Sequence, residues 1–153
     1  MRLCFALVFG LVLSAAAPLA QPWTAYPAFN DVRAVASSES AIWAATPAGV
    51  FSYEVDGGAF ARFTTVDGLR GGTIGALAVD AGGRVWLGYE DGALDRIDPE
   101  TGAIRTFLDI ERADQYASRG INRIRPQDGA LLIATDFGLV VFDTEREEVR
   151  QTA

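Results

Sequence analysis

Three stretches of this chain repeat one another, and that repetition constrains the fold more than any other feature. Trp43, Trp86 and Leu132 occupy equivalent positions, and six residues after each stands a glycine: Gly49, Gly92 and Gly138. Apolar partners precede the three markers by 11, 12 and 11 residues (Val32, Ile74, Ile121). Others follow the glycines by 11, 12 and 11 (Phe60, Ile104, Val149), so the period is 43 and then 46 residues. Self-similarity on this scale marks a unit that buries its apolar surface only by stacking on its neighbours.

Each unit reads as four short strands. In the second they are expected at 74–79, 84–88, 93–97 and 103–107, separated by Asp80-Ala81-Gly82-Gly83, Tyr89-Glu90-Asp91-Gly92 and Asp98-Pro99-Glu100-Thr101-Gly102. Those separators are turn chemistry, in which Gly supplies positive φ, Asp caps the reversal and Pro presets φ. The runs between them are too short for ordinary helices. Val50 to Val55 and Leu139 to Phe142 carry apolar residues on both strand faces, as a sheet buried on both sides requires. The expected fold is all-β: three four-stranded antiparallel blades of a β-propeller, at about 31–69, 73–113 and 120–153. Trp43 and Trp86 are expected to fill the space between blades, with Leu132 buried at the equivalent place. The glycine after each marker is read as a backbone requirement of a tight hairpin.

Three blades are fewer than the four to eight that close a ring. The segment Trp23-x-x-Tyr26 matches Phe60-x-x-Phe63 and Ile104-x-x-Phe107, and so reads as an outermost strand that would complete a last blade. We therefore expect an incomplete ring, either an amino-terminal fragment of a longer protein or an arc completed by other chains. The apolar faces of its end blades would then drive association.

The amino terminus reads as an address. Met1-Arg2 is a positive start, Leu3 to Leu13 is an apolar run of eleven, and Ser14 to Ala20 is rich in small residues. This is signal-peptide architecture, too short for a comfortable membrane span of about 20 residues. A leader at 1–20 is expected, with cleavage after Ala17 as the alternative, and 21–153 as the partial propeller. Export to the periplasm or cell surface follows, with no membrane span after the leader. The only cysteine, Cys4, lies inside the leader, so the expected mature chain has no thiol.

Composition narrows the chemistry. All 13 basic residues are Arg, there is no His, and the formal charge is -7. Without imidazole, Ser/His/Asp and Cys/His nucleophilic sites and His-ligated zinc are excluded. An acidic chain with no run of Arg also argues against nucleic acid. EF-hand spacing is absent, and neither a metal nor a cofactor is expected.

The segment Arg84-Val85-Trp86-Leu87-Gly88-Tyr89-Glu90-Asp91-Gly92-Ala93-Leu94-Asp95-Arg96-Ile97-Asp98-Pro99-Glu100-Thr101-Gly102 resembles the two-component-regulator propeller repeat, with Tyr89 where Thr is usual. The other two units, Ile42 to Tyr53 and Leu132 to Asp143, are similar but more degenerate, and Leu132 replaces the usual Trp. The opening Trp23-Thr24-Ala25-Tyr26, followed by Asp31 to Val35, also resembles the start of the propeller region in a surface component of the type IX secretion system of Bacteroidota. The likeness covers about residues 23–153. It implies an exported sensor or surface propeller, a part of membrane-bound regulators that respond to oligosaccharides or of secretion-system proteins.

A ligand should dock on loops at one end of the blades, where rigid strands present variable segments. Those loops are 64–72 and 109–119 between blades, and 46–49, 89–92 and 136–138 within them. Arg112, Tyr116 and Arg119 in the second linker, with Glu90 and Asp91 nearby, suit hydrogen bonding to sugar hydroxyls and stacking on a ring face. The expected partner is an oligosaccharide or surface glycan, with a protein partner or further blades as alternatives. No catalytic residue is expected. A lyase or glycosidase using Glu90, Asp91 or Asp95 is the rival, weakened because neighbouring strand residues point to opposite faces and Asp beside Gly is explained by turns.

Overall fold

The computed structural model describes residues 30–153. The expected leader and the strand expected at Trp23 to Tyr26 lie outside the described residues.

Twelve strands follow in chain order and form three sheets. The first blade contains β1 (Ala34–Ser37), β2 (Ala41–Thr46), β3 (Gly49–Glu54) and β4 (Phe60–Phe63). The second contains β5 (Ile74–Val79), β6 (Val85–Tyr89), β7 (Leu94–Ile97) and β8 (Ile104–Phe107). The third contains β9 (Ile121–Gln127), β10 (Ala130–Thr135), β11 (Gly138–Asp143) and β12 (Glu148–Thr152). Each sheet is antiparallel and ordered as the chain runs. In the second blade the strands fall within a residue of their expected limits, because the turn chemistry operates as read. Asp98 Oδ1 accepts the N–H groups of Glu100 (3.0 Å) and Thr101 (3.1 Å), which reverses the chain from β7 into β8.

The glycine after each marker is needed by the backbone at both ends of the arc. Gly49 and Gly138 have φ of 136° and 143°. A Cβ on either would stand 2.3 Å from a carbonyl oxygen, that of Phe63 or Ala153. A side chain would separate the third strand from the fourth in each blade.

Two interfaces between blades make the core. Trp43, Ala45 and Val50 of the first blade pack on Val85, Leu87 and Ile97 of the second. The second blade turns Trp86, Leu94 and Phe107 toward Leu131, Ile133 and Phe142 of the third. The Trp86 and Phe107 rings meet the Phe142 ring near edge-on, with centroids 5.7 and 5.2 Å apart. At the rim of this second interface Glu147 pairs with both Arg96 and Arg105.

One expectation needs correction. Leu132 pairs across the sheet with Arg125 and Val141, as Trp86 does with Ala78 and Arg96, so it points the same way along the arc. It is nevertheless only half-buried, while Leu131 and Ile133 beside it are fully buried. The reason is geometric: Trp43 and Trp86 each face the next blade, and no described sheet packs against the corresponding side of the third. The opposite side of the first blade is likewise open, with Val35 61% and Phe60 66% exposed.

Candidate functional site

Antiparallel order sorts the turns to two ends. The β2–β3, β6–β7 and β10–β11 turns share one end with the two long linkers, 64–73 and 108–120. Every candidate residue therefore lies at that end.

The sequence brings the second linker against the β6–β7 turn. A Cβ on Gly92 would lie 2.9 Å from the Arg119 carbonyl oxygen and 3.1 Å from the Glu111 Cα, so the turn and linker are in backbone contact. Arg70 of the first linker joins them: its Nη2 donates to Asp91 Oδ2 (3.0 Å) and to Glu111 Oε1 (2.7 Å). Asp91 also uses Oδ1 to accept the Ala93 N–H (3.0 Å), a turn-closing bond. Asp91 is thus held in place, whereas Glu90 beside it is exposed and its side chain meets no partner among the described residues.

Arg70 is itself anchored from below. Asp95 is completely buried and accepts three hydrogen bonds, from the Arg70 N–H (2.9 Å), the Tyr89 hydroxyl (2.7 Å) and the Thr106 hydroxyl (2.5 Å). Burial, followed by the adjacent Asp95 charge, pushes the Tyr89 hydroxyl well above its ordinary pKa of 10, so it remains a donor. Asp95 therefore acts as a structural acceptor beneath the loops.

On the third-blade side, Tyr116 stacks on Phe137, with centroids 4.0 Å apart and rings 4° from parallel. One face of Tyr116 is therefore covered by protein, and the half-buried ring keeps part of its surface in solvent. Arg119 pairs with Asp114 (3.1 Å) inside the linker. Arg112 is exposed, and its guanidinium has no partner among the described residues. Asp136, in the β10–β11 turn, accepts from the Ser118 hydroxyl, the Asn122 amide (2.8 Å) and the Gly120 N–H (3.0 Å). The Ser118 and then the Asn122 bonds hold its carboxyl below the usual range.

The structure thus gathers Glu90, Asp91, Arg112, Tyr116 and Arg119 at one end of the second and third blades. The sequence reading did not single out Arg70, Asp136, Phe137 or the role of Asp95, although the first three lie in loops it named. The surface presents a guanidinium, a carboxylate and an aromatic ring, a set suited to hydrogen bonding and stacking. Among the described residues no group of three or more His, Cys, Asp and Glu side chains is arranged to hold a metal. No helix of the described residues is long and apolar enough to cross a membrane.

Three blades joined by interfaces of this kind define a β-propeller, here an incomplete ring. Residues 42–153 match the family described as the amino-terminal β-propeller domain of PorZ of the type IX secretion system, and the chain belongs to that family. Among solved structures it is similar to PorZ of Porphyromonas gingivalis, described as an essential surface component of the type IX secretion system. There the TM-score is 0.74 at 17% identity over 82% of this chain and 17% of that one. It is also similar to the extracellular domains of two proteins of B. thetaiotaomicron. BT4673, described as a one component system, gives a TM-score of 0.66 at 21% identity over 86% of this chain and 18% of that one. BT3049, described as a hybrid two component system, gives 0.61 at 28% over 79% and 17%. The chain spans less than a fifth of the length of each. No curated protein matches it.

Proposed function

We propose that this chain is a non-catalytic binding module of an exported bacterial protein, a part of a longer sensor or surface component. It engages a glycan through the linker end of its second and third blades. The observation that carries the reading is the meeting of the 108–120 linker with the β6–β7 turn. There Arg112 and Glu90 remain unengaged at the same end as a half-buried Tyr116, on loops carried by strands with buried interfaces. Sugar hydroxyls pair with guanidinium and carboxylate groups, and a pyranose face stacks on an aromatic ring. Membership of a secretion-system propeller family and likeness to extracellular sensor domains support placement in the periplasm or at the cell surface. Asp91 is committed to Arg70 and to its turn, which speaks against a paired-carboxylate enzyme at this place.

The test is a glycan array with lyase and glycosidase assays on the purified chain. The expected result is weak glycan binding lost in Tyr116→Ala and Arg119→Ala, without turnover. Turnover abolished by Glu90→Gln or Asp91→Asn would replace the binding module with an enzyme. A chain that captures a protein partner by this face and no glycan would keep the module and change its ligand.

A further inference from the structure

The two blade interfaces differ at the end opposite the candidate site, and the difference is a missing cation. In the second blade, Asp80 Oδ2 accepts both the Trp86 indole N–H (2.9 Å) and the Arg84 Nε (2.8 Å). The Arg84 guanidinium lies 5.8 Å over the Trp86 ring and reaches across to the Thr144 carbonyl of the third blade (3.3 Å). Tryptophan, guanidinium and carboxylate form one plug, and the groove left beside it is small, about 140 Å³.

The first blade has the tryptophan without the plug. Ile42 and Val85 are equivalent by register, pairing with Ser37 and Val79, which places Ala41 where the second blade has Arg84. Ser38 stands for Asp80, since the Ser38 N–H donates to the Ala41 carbonyl (2.9 Å) as the Asp80 N–H does to that of Arg84 (3.0 Å). Between the first two blades a groove of about 1120 Å³ opens at this end. Trp43 lines it, only 3% exposed, and its indole N–H meets no acceptor among the described residues. Glu39, Glu54 and Glu100 rim the groove and join no ion pair among the described residues. Arg84 also borders it, but its guanidinium is committed to Asp80 and to the third blade.

We infer that this groove takes an arginine-bearing segment of a partner polypeptide, its guanidinium on the free carboxylates of the rim and one of its backbone carbonyls accepting the Trp43 indole N–H. The chemistry is that of the plug supplied in trans: the three carboxylates of Glu39, Glu54 and Glu100 for the guanidinium N–H groups, and a peptide carbonyl for the indole N–H that Asp80 satisfies in the second blade. A groove this size is far larger than one guanidinium, so it accommodates the residues flanking the arginine as well. Free arginine fits less well, because its own carboxylate would face an acidic rim. The site lies at the opposite end from the proposed glycan surface and does not depend on it.

The experiment titrates the full chain with Ac-Gly-Arg-Gly-NH2, following the indole resonance of Trp43 and the heat of binding. Saturable binding at about 1 mM or tighter is expected, with Trp43 as the indole that shifts. The citrulline peptide and free L-arginine should each bind at least tenfold more weakly. Ser38→Asp with Ala41→Arg, which transplants the second-blade plug, should abolish binding. If that variant does not fold, Glu54→Gln with Glu100→Gln should weaken binding at least threefold, and so should raising the salt concentration. No saturable binding, equal binding of the citrulline peptide, or undiminished binding by the folded plugged variant would overturn the assignment. Free arginine binding as tightly as the peptide would overturn the polypeptide partner.

Discussion

Replacing Asp95 tests how the candidate surface is held. Its carboxylate is fully buried and serves three donors: the Arg70 N–H, the Tyr89 hydroxyl and the Thr106 hydroxyl. In Asp95→Ala all three lose their acceptor at once, and a buried donor without a partner costs about 1 kcal/mol or more. The expected loss is therefore about 3 kcal/mol or more, of which little is transfer energy, since the side chain removed is small and polar. Asp95→Asn separates hydrogen bonding from shape. Its amide oxygen can keep the Arg70 and Tyr89 bonds that meet Oδ2, and its amide nitrogen can donate to Thr106, whose hydroxyl can turn to accept. What disappears is charge assistance, worth about 1 kcal/mol. Urea unfolding of the full chain at fixed protein concentration would measure both, with hydrogen exchange at the Arg70 amide as the local readout. An alanine loss below about 1 kcal/mol, or an asparagine variant as damaged as the alanine one, would refute the three-donor account.

The other predictions concern the repeat itself. Gly49→Ala should destabilise by about 2 kcal/mol or more in urea unfolding, because φ is 136° and the new Cβ would lie 2.3 Å from the Phe63 oxygen. Trp86→Ala should cost about 3–5 kcal/mol and Leu132→Ala only about 1, measured in the same way, since the first is fully buried and the second half-buried. The Tyr89 hydroxyl titrates above its unfolded value of 10, so stability should be intact below pH 10 and fall as pH rises from there. Tyr89→Phe should remove that part of the alkaline slope in pH-dependent unfolding curves. The chain should self-associate in sedimentation velocity, and Phe60→Ser with Val35→Ser should reduce it, because both residues lie exposed on the open face of the first blade.

The fold was legible because its determinants are local and occur three times. Turn residues such as Asp98 and Gly102 fix reversals from within a few positions, and alternation along short strands then assigns side chains to faces. The equivalence of Trp43, Trp86 and Leu132 was readable for direction, which depends on register alone. The burial of Leu132 was not, because burial depends on what stands opposite. The candidate surface follows the same division. That Tyr116, Arg119, Glu90 and Asp91 share an end is a property of antiparallel order and could be read from the repeat. That Arg70 bridges Asp91 to Glu111 could not, since it links three loops separated by 21 and 41 residues. Asp95 is the sharpest case: in the sequence it stands out only as a carboxylate that a rival enzymatic reading could use. Only the arrival of Arg70 and Tyr89 from elsewhere turns a carboxylate there from a burial cost into an anchor. Comparing repeats recovers part of what single positions hide. Ser38 and Ala41 are unremarkable alone, and become informative once register sets them against Asp80 and Arg84, where two small residues stand in place of an ion pair and the tryptophan keeps the same register in both blades.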